Sequence, residues 1–181
     1  EDEREARLGD RHAPARGLEE RPLAGGAGPP GLVGAGANLS AYLWTGRRLL
    51  VSGQDVAYLD GGGPGINPLA QYFYSDMGLG WAGEGNLSPL TGTLAGPLNG
   101  VTVTLNTPDS AHNQIHPDSA ALRSPTQTVP ALVWPDTGIG GALAGACRPY
   151  RTAWLGFGLE GAGPRSERVE TIRRILDWFA A

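Results

Sequence analysis

The hydrophobic pattern of this chain falls into two parts that meet near residue 38. Before it, apolar residues follow neither a helical nor a strand period. After it, short periodic runs alternate with Gly- and Pro-rich breaks. Asn38-Leu39-Ser40 can cap a short helix carrying Tyr42, Leu43 and Trp44, which Gly46 closes. The apolar run Leu49-Leu50-Val51 then reads as a strand that enters a tight turn at Gly53. Asn67-Pro68 supplies a cap and a proline at the first helical position. Leu69, Tyr72, Phe73, Asp76 and Met77 continue from it with helical spacing as far as Gly78. Alternating, β-branched Val101-Thr102-Val103-Thr104-Leu105 predicts a strand, as does Ala131-Leu132-Val133-Trp134. Two further strands, at 141–147 and 152–157, flank Arg148-Pro149-Tyr150-Arg151 as a hairpin turn. The chain closes on a helix capped by Ser166, with Glu167 and Glu170 early, Arg173 and Arg174 late, and Val169, Ile172, Ile175, Leu176 and Phe179 as its buried stripe.

Alternation of helix and strand predicts a three-layer α/β sandwich: a mostly parallel sheet with flanking helices, ending in a hairpin plus helix. Residues 1–37 combine a charge-dense stretch of mixed sign with the Gly/Pro/Ala tract Ala24 to Ala37, and are expected to be disordered or irregular. Residues 38–181 form the expected domain.

Composition narrows the chemistry. Among 181 residues there are 29 Gly and 15 Pro, so loops are expected to be long. All 14 basic residues are Arg, which removes lysine Schiff bases and the P-loop lysine together. The net charge of -4, with no basic cluster interleaved with aromatics, argues against nucleic acid. No apolar run is long enough to span a bilayer. The lone Cys147 cannot form an internal disulfide, and within Leu143-Ala144-Gly145-Ala146-Cys147 it reads as a small buried hydrophobe. The Gly61–Gly65 run lacks the Gly-Lys-Ser/Thr or Gly-x-Gly-x-x-Gly context of a phosphate cradle. No cofactor is expected.

The stretch Arg47-Arg48-Leu49-Leu50-Val51-Ser52-Gly53-Gln54-Asp55 locates a site, because ligands and catalytic groups collect at the carboxyl ends of strands in open α/β sheets. Asp55 stands where a nucleophilic Cys or Ser would be sought. Four segments together carry a resemblance: Leu49 to Asp55; Asn113-Gln114 with Pro117-Asp118; Leu155-Gly156-Phe157-Gly158-Leu159-Glu160-Gly161; and the Arg168 to Phe179 helix. In that order they resemble the flavodoxin-like, class I glutamine amidotransferase-like domain of bacterial secreted multidomain proteins, which often accompanies peptidase domains. The family's usual first strand has no counterpart in residues 1–37.

The resemblance implies a test. Active relatives place a thiolate in a Gly-x-Cys elbow and its base in a distant Phe-His-Pro-Glu. Here Gly53-Gln54-Asp55 puts Asp55 at the nucleophile position, and Phe157-Gly158-Leu159-Glu160 puts Gly158 at the histidine. Only Glu160 survives; acyl transfer at neutral pH needs a thiolate activated by a nearby imidazole, and neither partner is present. The expected domain is therefore a catalytically degenerate accessory or interaction module of a larger extracellular or cell-surface protein. Its expected partners are other domains of the parent chain or an extracellular protein.

Two alternatives use the same crevice: a hydrolase or metal-dependent enzyme built on Gln54, Asp55 and Glu160, or a module binding carbohydrate or another small ligand. The resemblance would bring Asp55 and Glu160 to adjacent strand ends, where paired carboxylates can work as acid and base or hold a cation. The simpler reading has Asp55 capping the next segment and Glu160 accepting local hydrogen bonds. His112, His116 and Asp118 have the spacing of a weak metal site, but Pro108 and Pro117 flank them and favour a surface loop. Trp81 could line a groove, whereas Trp134 and Trp154 read as core.

Overall fold

The computed structural model describes residues 36–181 apart from 67, 68, 95, 137 and 146. The expectation for the amino-terminal tract falls outside this range except at residues 36 and 37, and the Asn67-Pro68 cap lies outside it as well. Helix α1 (Gly36–Trp44) leads into strand β1 (Arg48–Ser52), and the short helix α2 (Val56–Asp60) follows directly. A single π-helical turn, Tyr72–Asp76, occupies part of the predicted second helix. Strands β2 (Leu79–Glu84), β3 (Leu90–Gly92), β4 (Thr102–Leu105), β5 (Asp118–Leu122), β6 (Thr128–Trp134), β7 (Gly138–Ala144) and β8 (Arg151–Leu155) come next. A 3-10 turn at Leu159–Gly161, the two-residue strand β9 (Ala162–Gly163) and helix α3 (Arg165–Ala180) complete the chain.

The sheet is strongly curled, a half-barrel in the order β1-β8-β7-β6-β3-β4-β9, with β5 branching from β7 at Ala120↔Ile139 and carrying β2. Among the described residues only β1 and β8 run parallel, and every other pairing is antiparallel. This overturns the parallel three-layer sandwich. The reason is connection length: β6 reaches β7 through residues 135–137 and β7 reaches β8 through 145–150, whereas a parallel crossover needs a dozen residues or more. Strands β2, β3 and β5 escape sequence reading because they are short and rich in Gly, Ala and Ser, without the β-branched alternation that marks a strand.

Period-2 alternation along β8 divides the interior. Ala153 and Leu155 face one cluster with Leu143, Leu132, Trp134, Phe157 and Ile175 of α3, while Trp154 faces the other with Leu43 of α1, Ala57 of α2, Tyr72, Phe73 and Met77. Trp134 and Trp154 are core, as expected. The α3 stripe is corrected. Val169 and Leu176 are 53% and 57% exposed, and the inward positions are Thr171 and Ile175, with Trp178 and Phe179 half-buried beside the core. Ser166 lies inside the first turn of α3, whose cap position is Pro164. The helix is pinned to the sheet by Glu167, whose carboxylate accepts the Thr104 N–H at 2.7 Å. Cys147 is also corrected: it is exposed, in a left-handed conformation at φ 58°. A reversal between β7 and β8 turns its side chain outward.

On the opposite face, buried Asp76 docks α1. Its carboxylate accepts from the Ser40 hydroxyl and, at 3.1 Å, from Trp44 Nε1. Its main-chain oxygen accepts from the Tyr150 hydroxyl at 3.2 Å.

Candidate functional site

The parallel strand pair sets the geometry, because β1 and β8 deliver their carboxyl ends side by side. Ser52, at the end of β1, ties the two exits together: its hydroxyl donates to Phe157 O at 2.8 Å and accepts the Leu159 N–H at 2.9 Å. Beyond β1 the chain must turn at once into α2. Asp55 makes that turn in the left-handed region, at φ 63° and ψ 0°, a conformation Asp tolerates better than most residues. It occupies the cap position of α2, but its side chain makes no capping hydrogen bond. The expected role of Asp55 as a cap is therefore filled by another residue.

That residue is Asp118, the first of β5. Its Oδ2 accepts the Ala57 N–H at 2.7 Å and the Tyr58 N–H at 3.4 Å, two of the donors that a helix start leaves without internal partners. Asp118 is 0% exposed, and its Oδ1 is buried with no hydrogen-bond partner. Burial pushes its carboxyl up to about 7, against the lowering effect of the Ala57 and Tyr58 amides; the nearby charges of Asp55 and Glu84 push in the same direction as burial.

Gln54 points the other way, into the 106–117 loop. Its Oε1 accepts the N–H groups of Ile115 at 2.9 Å and His116 at 3.0 Å, and its Nε2 donates to Asn113 O at 3.1 Å. One amide thus satisfies three main-chain groups of a segment without regular structure. Asn106 closes the base of the same loop, accepting from Gln114 N–H at 3.1 Å and donating to Gln114 O at 2.8 Å.

Glu160 completes the network from β8's side. Its Oε1 accepts from Asn113 Nδ2 at 3.1 Å and from Gln114 Nε2 at 3.4 Å. Gln114, 2% exposed, lies between the two halves, accepting the Gly158 N–H at 2.6 Å and donating to Asn113 Oδ1 at 2.8 Å. The Glu160 carboxylate folds back over Gly158 so closely that a Cβ there would sit 2.1 Å from Oε1. A Cβ on Gly161 would meet Gln114 Cγ at 2.2 Å.

The structure therefore brings Gln54 and Glu160 together through Asn113 and Gln114, and sets Asp55 against Asp118 on the α2 side. It does not gather the three weak metal candidates. His112 is exposed at φ 52°, His116 Nδ1 lies 3.6 Å from Glu84 Oε2, and Asp118 is sealed beneath α2. Among the described residues no group of three or more His, Cys, Asp or Glu side chains is placed to hold a metal ion. Trp81 is half-buried, edge-on to Tyr58 at 5.6 Å. Ser52, Asn106 and the clamp role of Asp118 were missed by sequence reading. The one available signal was the density of Asn and Gln between 106 and 114, since short amides hold irregular backbone.

A shallow cleft of about 250 Å3 lies elsewhere, between Gly100–Thr102 and the start of α3. Its acidic groups are occupied: Glu167 by Thr104, Glu170 by Arg173 and Arg174. No helix among the described residues is long and apolar enough to cross a membrane. Comparison with protein-family models, curated proteins and solved structures found no match.

Proposed function

We propose that residues 38–181 form a non-catalytic accessory or interaction module of a larger, secreted protein, one that carries a peptidase or other enzymatic domain elsewhere. The observation that carries this reading is the seat of Glu160. Its carboxylate occupies the space over Gly158, the position at which the amidotransferase resemblance requires an imidazole, and it is engaged by two side-chain amides. Gln54 is likewise committed, all three of its hydrogen bonds going to loop backbone. A general acid or base needs a group free to face a substrate; Gln54 is a neutral amide that does not titrate, and Oε1 of Glu160 is held by the Asn113 and Gln114 amides. The extracellular setting and the peptidase association rest on the sequence resemblance alone.

The hydrolase alternative needs Asp55 and Glu160 to act as a pair. The Glu160 carboxylate is tied to Asn113 and Gln114, and no hydrogen bond of Asp55 joins that network. The test is turnover. Ammonia release from glutamine and hydrolysis of an activated ester are measured for the 181-residue chain and for Asp55→Ala. The proposal expects both proteins to match buffer, and ester or amide turnover that disappears in Asp55→Ala would overturn it.

A further inference from the structure

Strand β1 ends the sheet with only one neighbour among the described residues. Its hydrogen-bond parity follows from two contacts: Arg47 O accepts the Arg151 N–H at 3.3 Å, and the Gly53 N–H donates to Leu155 O at 3.2 Å. Odd-numbered residues of β1 thus turn their main-chain groups toward β8, and Arg48, Leu50 and Ser52 turn theirs to the outer edge, where the Tyr42 hydroxyl donates to Arg48 O at 3.3 Å and Leu50 and Ser52 remain for a further strand. Natural edges are commonly blunted by a charged side chain lying across them. Arg48 does not serve that purpose, because its guanidinium is folded onto the chain's own surface, donating to Phe179 O at 3.0 Å and Gly46 O at 2.8 Å.

Charge at the two ends of this edge is unspent and opposite in sign. Arg47, exposed at the start of β1, takes part in none of the ion pairs among the described residues. Asp55, just past the end, has no capping hydrogen bond. An antiparallel copy of the strand, related by a twofold axis at Val51, would exchange main-chain bonds between Leu50 and Ser52 of the two chains. The same operation would set Arg47 of each copy opposite Asp55 of the other. Such an isologous contact is self-complementary by construction.

We infer that the open edge of β1 is the contact between two copies of this chain, joined as an antiparallel, twofold-related continuation of the sheet with Arg47 and Asp55 paired across the axis at both ends. The inference goes beyond the accessory-module reading and does not depend on it: turnover tests that reading, whereas association state tests this one.

Sedimentation velocity of the 181-residue chain over a concentration series provides the test. A dimer is expected. Arg47→Glu and Asp55→Arg are each expected to weaken it roughly three- to tenfold, since each reverses two exposed pairs, and the double exchange is expected to restore it. Because Arg strains the left-handed turn at residue 55, Asp55→Asn serves as the second variant; it keeps the turn, loses the charge, and is expected to weaken the dimer about as much. A chain that stays monomeric up to about 0.1 mM overturns the inference. So does a dimer indifferent to Arg47→Glu and to Asp55→Asn.

Discussion

Asp118 reaches across 61 positions of sequence to hold Ala57, its Oδ2 accepting the Ala57 N–H at 2.7 Å at the mouth of α2. The helix that begins immediately after the candidate elbow is therefore capped from another strand, and Asp55 is left free of that duty. The arrangement also buries a carboxylate whose second oxygen has no partner, which carries a pH signature.

Burial pushes the Asp118 carboxyl from 3.8 up to about 7. A group whose folded value is raised binds its proton more tightly in the folded state. Its contribution is complete below about pH 4 and is lost as pH rises through about 7. In urea unfolding followed from about pH 5 to about pH 8, the wild type is expected to lose stability, by an amount on the order of a few kcal/mol, that Asp118→Asn does not lose. The Asn variant keeps an acceptor for the Ala57 amide but buries an unpartnered NH2, so it is expected to carry a pH-independent cost of about 1–3 kcal/mol. Parallel pH profiles for the two proteins would contradict the assignment.

Two glycines two residues apart, Gly156 and Gly158, should respond differently to the same methyl group. A Cβ on Gly156 would stand 2.0 Å from the main-chain oxygen of Asp118, which the strand pairing fixes, whereas a Cβ on Gly158 meets the end of the Glu160 side chain. Gly158 has φ -72°, open to any residue. Gly156→Ala is expected to cost about 3 kcal/mol or more, and Gly158→Ala about 1 kcal/mol, because a side chain yields where a sheet does not. Thermal unfolding of both variants checks the order.

The corrected α3 stripe makes a comparable prediction. Ile175 is 0% exposed and belongs to the core, while its neighbour Leu176 faces solvent. Ile175→Ala is expected to cost about 2–5 kcal/mol and Leu176→Glu no more than about 0.5 kcal/mol. Denaturant midpoints of the pair would show it.

How much of this was legible in the sequence depends on which physical signal each element carries. Strand β1, strand β4 and helix α3 announce themselves through apolar runs, β-branched alternation and helical spacing, and all three are present. The direction of the sheet was legible at the hairpin between β7 and β8, read from Arg148 to Arg151 and present as an antiparallel pair, but not elsewhere: it is decided by connections such as residues 135–137, too short for a crossover, which the helix–strand alternation obscured. Within the site, the resemblance implied adjacent strand ends for Asp55 and Glu160; Gln54 and Asp55 follow β1 directly, whereas Glu160 sits in the 3-10 turn Leu159–Gly161 beyond β8. What joins Gln54 to Glu160 was not visible, because Asn113 and Gln114 act through a loop whose path no periodicity encodes. The burial of Asp118 was hidden for a related reason: an Asp after a Pro reads as a turn residue, and only the β5 to α2 contact makes it a clamp.

The polar side chains beyond the carboxyl ends of β1 and β8 hold the 106–117 loop in place. Catalytic residues commonly cost stability, so removing one leaves a protein as stable as before or more so, whereas removing a structural partner destabilises. Urea unfolding of Gln54→Ala and Glu160→Ala against the wild type is the direct measurement. The account predicts losses of about 1–3 kcal/mol for Gln54→Ala, which orphans the Ile115 and His116 amides, and about 0.5–1.5 kcal/mol for Glu160→Ala. Variants equal to the wild type or more stable than it would contradict the account and mark these side chains as held for chemistry.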